Sequence, residues 1–579
     1  MKPRMVALLI ALCAIAPAGA RAAGGEPCAP TPRVPANPVF QAQEQAFGFH
    51  DEEIVICSPG WTSAVHIVAR LWVPTGCPGV GGCAGVVIAH GFGFSKELTV
   101  SDMYTAVRKK LYVLSYDVRG QGSSGGQAAF LGRDDIADQA AVLAWWHRNV
   151  HPTKTAFYGI SQGGWLSWTA AIFNCGAGRA AKYDSSISCD KGGRWIDAIA
   201  PMQGPTGTID DGTCTEFALE VFVETRGNPA VAQSMASCPS TGRPGPIAGA
   251  MTDVAHRMAR IDVPVYAVTS FFDRLVPARQ VVAAYEQLHA RSLDPQDVLY
   301  GKDVRLTMSN DGHGDVGGNT ALVGDVFTWI TRELTGGPSL RAATVSIAQA
   351  WGGNTFRLER AWPIPGTTTQ TLFLARGTLG RASGSAPDEL RNLPLQTSTP
   401  SEPFIGTALE ANNADAVPDA RLVYTTAPFT TTREITGEPW ATIYVSSANA
   451  QSNGNGQLNI GLSDLAPNGS AHEFSHARIG LIGLGPKPVA VRIPLSISAH
   501  RIATGNRLML AIASSDVAVA IPAPGADAFY VHHDGNARSF ITIPLAPIGR
   551  TPPPGQPPTG VSYTDDPVAA ICTTLNLPC

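Results

Sequence analysis

A chain of 579 residues exceeds what one hydrophobic core usually covers, so two or more domains are expected. Charged residues make up only 15% against 44% hydrophobic, and glycine and proline are plentiful; this favours many turns and strands over long exposed helices. A formal net charge of -4 with no basic block gives nucleic-acid binding no electrostatic support.

The chain begins like an export leader. Lys2 and Arg4 precede the apolar run MVALLIALCAIA, and Ala20, Arg21 and Ala22 place small residues around a cleavage point. Residues 1–22 are therefore expected to be a signal peptide, and the mature protein to be secreted or periplasmic. The run is short for a membrane span, and none of about 20 apolar residues follows, so stable membrane insertion is not expected. Of 11 cysteines, Cys13 leaves with the leader and an even set remains, as suits disulfides in an oxidising compartment. Cys77 and Cys83 bracket a tight turn and are candidates to pair. Cys572 with Cys579 is another candidate pair, and Cys175, Cys189, Cys214 and Cys238 fall in one stretch that they would staple. No cysteine pair has histidines at zinc-ligand spacing, and no metal is expected.

Residues 23–338 alternate strand and helix. AGVVIAHGFGF is an apolar strand run ending in a glycine-rich turn, and KKLYVLSYDVRGQGSSGG repeats that grammar. RDDIADQAAVLAWWHRN has helical spacing with acids in its first turn, facing the positive end of the helix dipole. TKTAFYGISQGGWLSWTAAIF is again strand, turn, helix. VPVYAVTSFFDRLVP leads into ARQVVAAYEQLHARS, and DVRLTMSNDGHGDVGG into NTALVGDVFTWITREL. This predicts a mainly parallel sheet with helices on both faces, whose sites form beyond the C-terminal strand ends. From about 165 to 261 the alternation breaks down into a Gly- and Cys-rich segment, expected to be a lid-like insertion over the sheet.

Past residue 338 the grammar changes. AATVSIAQAW, QTLFLARG, ARLVYTTAPF, WATIYVSS, QLNIGLSDL, VAVRIPLSI, NRLMLAIAS and SFITIPLA are short strand-like runs with turn residues between them and no helical pattern. Residues 339–548 are expected to form an all-β sandwich of jelly-roll type. RTPPPGQPPTG then opens a proline-rich linker and tail over 549–579.

Three segments carry the chemistry. Gly159-Ile160-Ser161-Gln162-Gly163 lies between a predicted strand and a predicted helix, the setting of a nucleophile elbow rather than of an ordinary turn. Asp273 and His313 follow in order, each in the turn after a predicted strand, which is where an orienting acid and a general base belong. Asp273 also suits a helix N-cap and His313 a solvated loop. His289 falls within a helix, and His472 and His476 lie in the β-rich half. An oxyanion needs two aligned donors: the N–H of Gln162, after the nucleophile, and that of Phe92, in the turn shaped by His90 and Gly91.

YDVRGQGSSGG, the elbow, and the β-rich half with LNIGLSDLAPNGS and GNRLMLAIASS together resemble the X-prolyl dipeptidyl-peptidase and cocaine-esterase group of α/β-hydrolases. The resemblance runs from about Val55 to Ile548. It implies an α/β-hydrolase domain followed by a C-terminal jelly roll, with the triad at the positions of Ser161, Asp273 and His313 and no cofactor. Asp117 and Arg119 are expected to brace a loop. Many members carry a tyrosine after the nucleophile, where this chain has Gln162, and some use a tyrosine hydroxyl in the oxyanion hole, for which HGFGF has no counterpart. Peptidase members also hold a free substrate amine with acids, for which Asp210, Asp211 and Glu216 are candidates. The expectation is an exported serine hydrolase acting on carboxylic esters or amides. The rivals are an Xaa-Pro-type dipeptidyl aminopeptidase and, from another class, a non-catalytic polymer-binding protein. The expected partner is a small-molecule, ester or peptide substrate, with no nucleic acid.

Overall fold

The structure is a computed structural model that describes residues 44, 48–174, 195–207, 254–271, 273, 276–313, 317, 319–337, 344–348, 356–391, 421–447, 456–481, 483–514 and 528–549. The leader, the tail, most of the expected insertion (175–194 and 208–253), and the acids Asp210, Asp211 and Glu216 lie outside the described residues.

The first layer system is a ten-stranded sheet. Its strands are β1 (Phe49–Ser58), β2 (Val65–Pro74), β3 (Gly85–Ala89), β4 (Tyr112–Tyr116), β5 (Thr155–Ile160), β6 (Ala198–Met202), β7 (Val265–Ser270), β8 (Val304–Ser309), β9 (Val345–Ala348) and β10 (Phe356–Glu359). The spatial order is β1-β2-β4-β3-β5-β6-β7-β8-β9-β10. The pairings from β4 to β9 are parallel, with antiparallel strands at both edges. Every residue of β3, β4, β6, β7 and β8 is buried, as a parallel sheet covered on both faces requires. Alternate residues feed two cores: Val87 and Phe157 on one face, Val86 and Tyr158 on the other.

Five helices matter here: α1 (Val100–Arg108), α2 (Arg133–Asn149), α3 (Gln162–Ile172), α4 (Ala278–Leu293) and α5 (Thr320–Thr335). α4 buries Ala278, Val281, Val282, Tyr285 and Leu288, the 3–4 spacing of an amphipathic helix on a sheet. All eleven residues of α3 are buried, so the helix that starts at the elbow is held on all sides.

Two expectations need correction. The span 165–261 is not one insertion: α3 ends inside it, and β6 is a central strand paired to both β5 and β7. AIAPM is a short apolar run buried on both faces, so it lacks the alternation that marks a half-exposed strand. Likewise the strand in AATVSIAQAW does not open the all-β unit. It forms β9, parallel to β8, and β10 closes that edge of the first sheet.

Beyond residue 360, the described chain forms a fourteen-strand, mostly antiparallel all-β unit with its own core, including Leu374, Ile443, Leu462, Ile512 and Val531. It docks on the β10 edge. Ile497, Ala499 and Ala546 join a core of the first unit. Glu434, only 1% exposed, bridges the two guanidinium groups of Arg357 on β10 and Arg501, at 2.7 and 3.2 Å. The main-chain N–H of Gly549 donates to the same carboxylate, and Arg357 also donates to the carbonyl of Pro547.

Candidate active site

The β5–α3 turn is shaped by close packing. A Cβ on Gly163 would stand 1.9 Å from the carbonyl oxygen of Ala89, and one on Gly159 2.4 Å from the backbone of Gly163. Only glycine lets the strand, the turn and β3 pass this closely. Between them Ser161 takes φ 58° and ψ -115°, a strained conformation for a residue with a side chain. Its N–H donates to Met202 O at 2.9 Å, and Trp165 N–H returns to Ser161 O at 2.9 Å. The strained serine is thus locked to β6 on one side and to the first turn of α3 on the other.

The turns after β7 and β8 bring Asp273 and His313 to this serine. His313 Nε2 lies 2.8 Å from Ser161 Oγ, and its Nδ1 lies 2.9 Å from both carboxylate oxygens of Asp273. Asp273 is fully buried, and its Oδ1 also accepts Val276 N–H at 2.8 Å. A carboxylate only accepts, so Nδ1 carries the imidazole proton and the lone pair of Nε2 faces the serine hydroxyl. Such an arrangement can take a proton from the hydroxyl while keeping the resulting imidazolium paired.

The Gly91–Phe94 turn, closed by Phe94 N–H to Gly91 O at 3.3 Å, lies against the serine: a Cβ on Gly91 would be 3.5 Å from Ser161 Cβ. Phe92 packs edge-on against Phe130 with ring centroids 4.7 Å apart. Phe130 and its neighbour Leu131 take consecutive positive-φ conformations, at 43° and 59°. His90 is a structural latch. Its Nε2 accepts Val118 N–H at 3.0 Å and its Nδ1 donates to Gly91 O at 2.7 Å, and burial pushes its pKa down, so it stays neutral. Gln162 N–H is the first amide of α3, at the positive end of the helix dipole.

Asp117 and Arg119 are engaged in braces. Asp117 accepts from Lys96 N, Lys96 Nζ and Ser123 N at 2.6, 2.9 and 2.8 Å. Arg119 grips Asp138 through two bonds of 2.7 Å. Beside Asp273, a cavity of about 100 Å³ opens between Pro277 and Arg279 of the first unit and His476, Pro494 and Ser496 of the all-β unit.

Sequence reasoning missed two glutamines. Gln203, fully buried at φ 47°, directly follows β6 and donates to Ser270 Oγ at 2.7 Å and to Gly312 O at 2.8 Å. It ties the ends of β6 and β7 to the loop that carries His313. Its signal is its place just past the C-terminal end of a central strand, and that strand is not marked as one by its own sequence. Gln121 sits inside YDVRGQGSSGG with no spacing signal of its own; its amide accepts Gly93 N–H and donates to the side chain of Gln162.

Known proteins match this description. Residues 65–188 match the family model of X-Pro dipeptidyl-peptidase (S15 family), and residues 340–543 that of the X-Pro dipeptidyl-peptidase C-terminal non-catalytic domain. Among solved structures, an aminopeptidase from a marine sediment Thaumarchaeota archaeon superposes with TM-score 0.67 at 16% identity. An alpha-amino acid ester hydrolase gives 0.65 at 14%, and a CocE/NonD family hydrolase from Staphylococcus aureus 0.59 at 12%. Each alignment covers 86% of this chain and 97% of the other. At these identities the structural likeness speaks for the fold. No curated protein sequence matches significantly. With both family models matched in the order of the two units, the chain belongs to the X-prolyl dipeptidyl-peptidase and cocaine-esterase-like family of α/β-hydrolases and is a hydrolase of the serine type.

Proposed function

We propose that the protein is an exported serine hydrolase of carboxylic esters or amides that works through Ser161, His313 and Asp273. The observation that carries this reading is the 2.8 Å approach of His313 Nε2 to Ser161 Oγ, with Nδ1 held by Asp273. Ser161 Oγ bonds to the substrate carbonyl carbon as its proton passes to His313 Nε2. The carbonyl π-electrons move to oxygen, and that oxyanion is met by the N–H groups of Gln162 and Phe92. His313 then protonates the leaving alkoxide or amine as the carbonyl–leaving group bond breaks. Water, deprotonated by His313, attacks the acyl-enzyme and releases the acid and free serine.

Esters come first as substrates, because Gln162 turns its amide into the protein, toward Gln121 and Asp135, in place of a tyrosine beside the nucleophile. The alternative, an Xaa-Pro-type dipeptidyl aminopeptidase, is favoured by the match to the S15 family model. Export is supported by the leader-like residues 1–22 and by disulfides at Cys57 and between Cys77 and Cys83, since such bonds persist in oxidising compartments. The all-β unit, read as a jelly roll, walls the cleft beside Asp273.

A Ser161→Ala variant tests the assignment. It should lose turnover of p-nitrophenyl acyl esters and labelling by a fluorophosphonate while unfolding at the wild-type temperature. Wild-type turnover in that variant would remove Ser161 from the mechanism. Dipeptide amides with free and with blocked amino termini separate the two substrate classes: strict demand for the free amine would make the protein an aminopeptidase.

A further inference from the structure

The mechanism above uses only the main chain of Gln162 and gives Gln121 no part. Yet their side chains form an unbroken run of hydrogen bonds between the oxyanion turn and the start of α2. Gly93 N–H donates to Gln121 Oε1 at 2.5 Å. Gln121 Nε2 donates to Gln162 Oε1 at 2.9 Å, and Gln162 Nε2 to Asp135 Oδ2 at 3.4 Å. The same Asp135 oxygen accepts Gly132 N–H at 3.1 Å, at the entry to α2. Gln121, Gln162 and Asp135 are 3%, 2% and 1% exposed, so water does not compete for these contacts.

The polarity of the run is set from one end. A backbone N–H can only donate, so Gln121 must turn its oxygen to Gly93 and its nitrogen to Gln162, which must answer with its oxygen. Reversing either amide would set like groups against each other, and breaking the run would strand a buried donor or acceptor. The run therefore has one low-energy arrangement.

Its position gives that rigidity a use. Gly93 follows Phe92, and Gln162 supplies the second proposed donor. The side chain of one donor residue thus holds, through Gln121, the turn that carries the other. We propose that Gln121 and Gln162 are positioning residues that set the spacing of the two oxyanion donors about Ser161. The proposal rests on Ser161 being the nucleophile and on Phe92 and Gln162 N–H meeting the oxyanion. Preorganised donors work only when held at the place the oxyanion will occupy, so a slack turn lowers the rate of the chemical step more than it weakens substrate binding.

The test uses Gln121→Met, Gln162→Met and the double variant, with Ser161→Ala as control. Methionine keeps the length of the side chain and removes its polar ends. For each protein, kcat and KM on p-nitrophenyl acetate, the inhibition constant of phenylboronic acid, and the unfolding temperature are measured. Phenylboronic acid forms a tetrahedral anion on a nucleophilic serine and so reports on the oxyanion donors directly. Gln121→Met should lower kcat by about 10- to 100-fold with KM changed by less than about threefold, and weaken the boronic acid in parallel. The double variant should be no slower than Gln121→Met, because both changes cut one run. Where Gln121→Met does not fold, Gln162→Met carries the same test, since it leaves the Gly93–Gln121 bond in place. Wild-type kcat in the folded variants overturns the proposal, as does a fall in kcat with boronic acid affinity intact. If Ser161→Ala also keeps wild-type turnover, the nucleophile assignment falls; if Ser161→Ala is inactive, only the brace falls.

Discussion

Replacing Asp273 with asparagine tests the proposed triad at its most buried member. The change keeps shape and volume but turns one carboxylate oxygen into an NH2 group. Which oxygen changes is dictated by Val276, whose N–H donates to Asp273 Oδ1 at 2.8 Å. The asparagine oxygen must stay there, since the opposite orientation sets two donors against each other. Its NH2 then occupies the other position, 2.9 Å from His313 Nδ1, and donates to it. The NH2 opposes a proton on Nδ1, while the retained oxygen, also 2.9 Å from Nδ1, is shared with Val276 N–H; the balance shifts the imidazole proton toward Nε2, which then faces Ser161 Oγ and can no longer accept from it. The wrong tautomer costs about 10⁴ in kcat in a serine hydrolase triad, or about 5 kcal/mol of barrier. Because Val276 keeps its acceptor, the unfolding temperature should stay close to wild type. The assay is steady-state hydrolysis of p-nitrophenyl acetate beside a thermal melt. A folded variant with more than about a tenth of wild-type kcat would refute the tautomer argument and the part assigned to Asp273.

Two further predictions concern stability. Burial pushes Asp102, on α1, up to about 7, partly offset by the nearby Tyr158 and Ser101 hydroxyls. Between its ordinary value near 3.8 and about 7 the folded chain holds a proton that the unfolded chain has released. Its contribution to stability therefore falls as pH rises through that window, by up to about 4 kcal/mol in all. Asp102→Asn should raise the unfolding temperature at pH 8 and flatten its decline from pH 5; melting curves that stay parallel to wild type across this range would contradict it. At the junction of the two units, Glu434→Ala leaves Arg357 and Arg501 without their shared carboxylate, and removing one member of a buried ion pair costs about 3–5 kcal/mol. Scanning calorimetry should show a lower unfolding temperature, with wild-type kcat below it; an unchanged melt would mean that the apolar contacts of Ile497, Ala499 and Ala546 and the bond from Arg357 to Pro547 O hold the junction without the carboxylate.

Much of this site was legible in the chain itself, for local reasons. An elbow announces itself because strand, glycine-flanked serine and helix are contiguous, and the close approach of Ala89 to Gly163 leaves glycine as the only fit. The span Arg133–Asn149 reads as one helix because its periodicity and its first-turn acids are written in adjacent residues. Asp273 and His313 could be named because each sits in the turn after a recognisable strand. What stayed hidden depends on neighbours distant in sequence. β6 is a strand because β5 and β7 flank it, without alternation of its own, and β9, readable as a strand, belongs to the first sheet because β8 offers it an edge. A glutamine carries no spacing signal, so Gln203 and Gln121 acquire meaning only when folding brings Gly312 and Gly93 against them, 109 and 28 residues away. The proposed nucleophile is thus a property of twelve consecutive residues, FYGISQGGWLSW, whereas the bracing of its proposed base and oxyanion turn comes from contacts that exist only in the folded sheet.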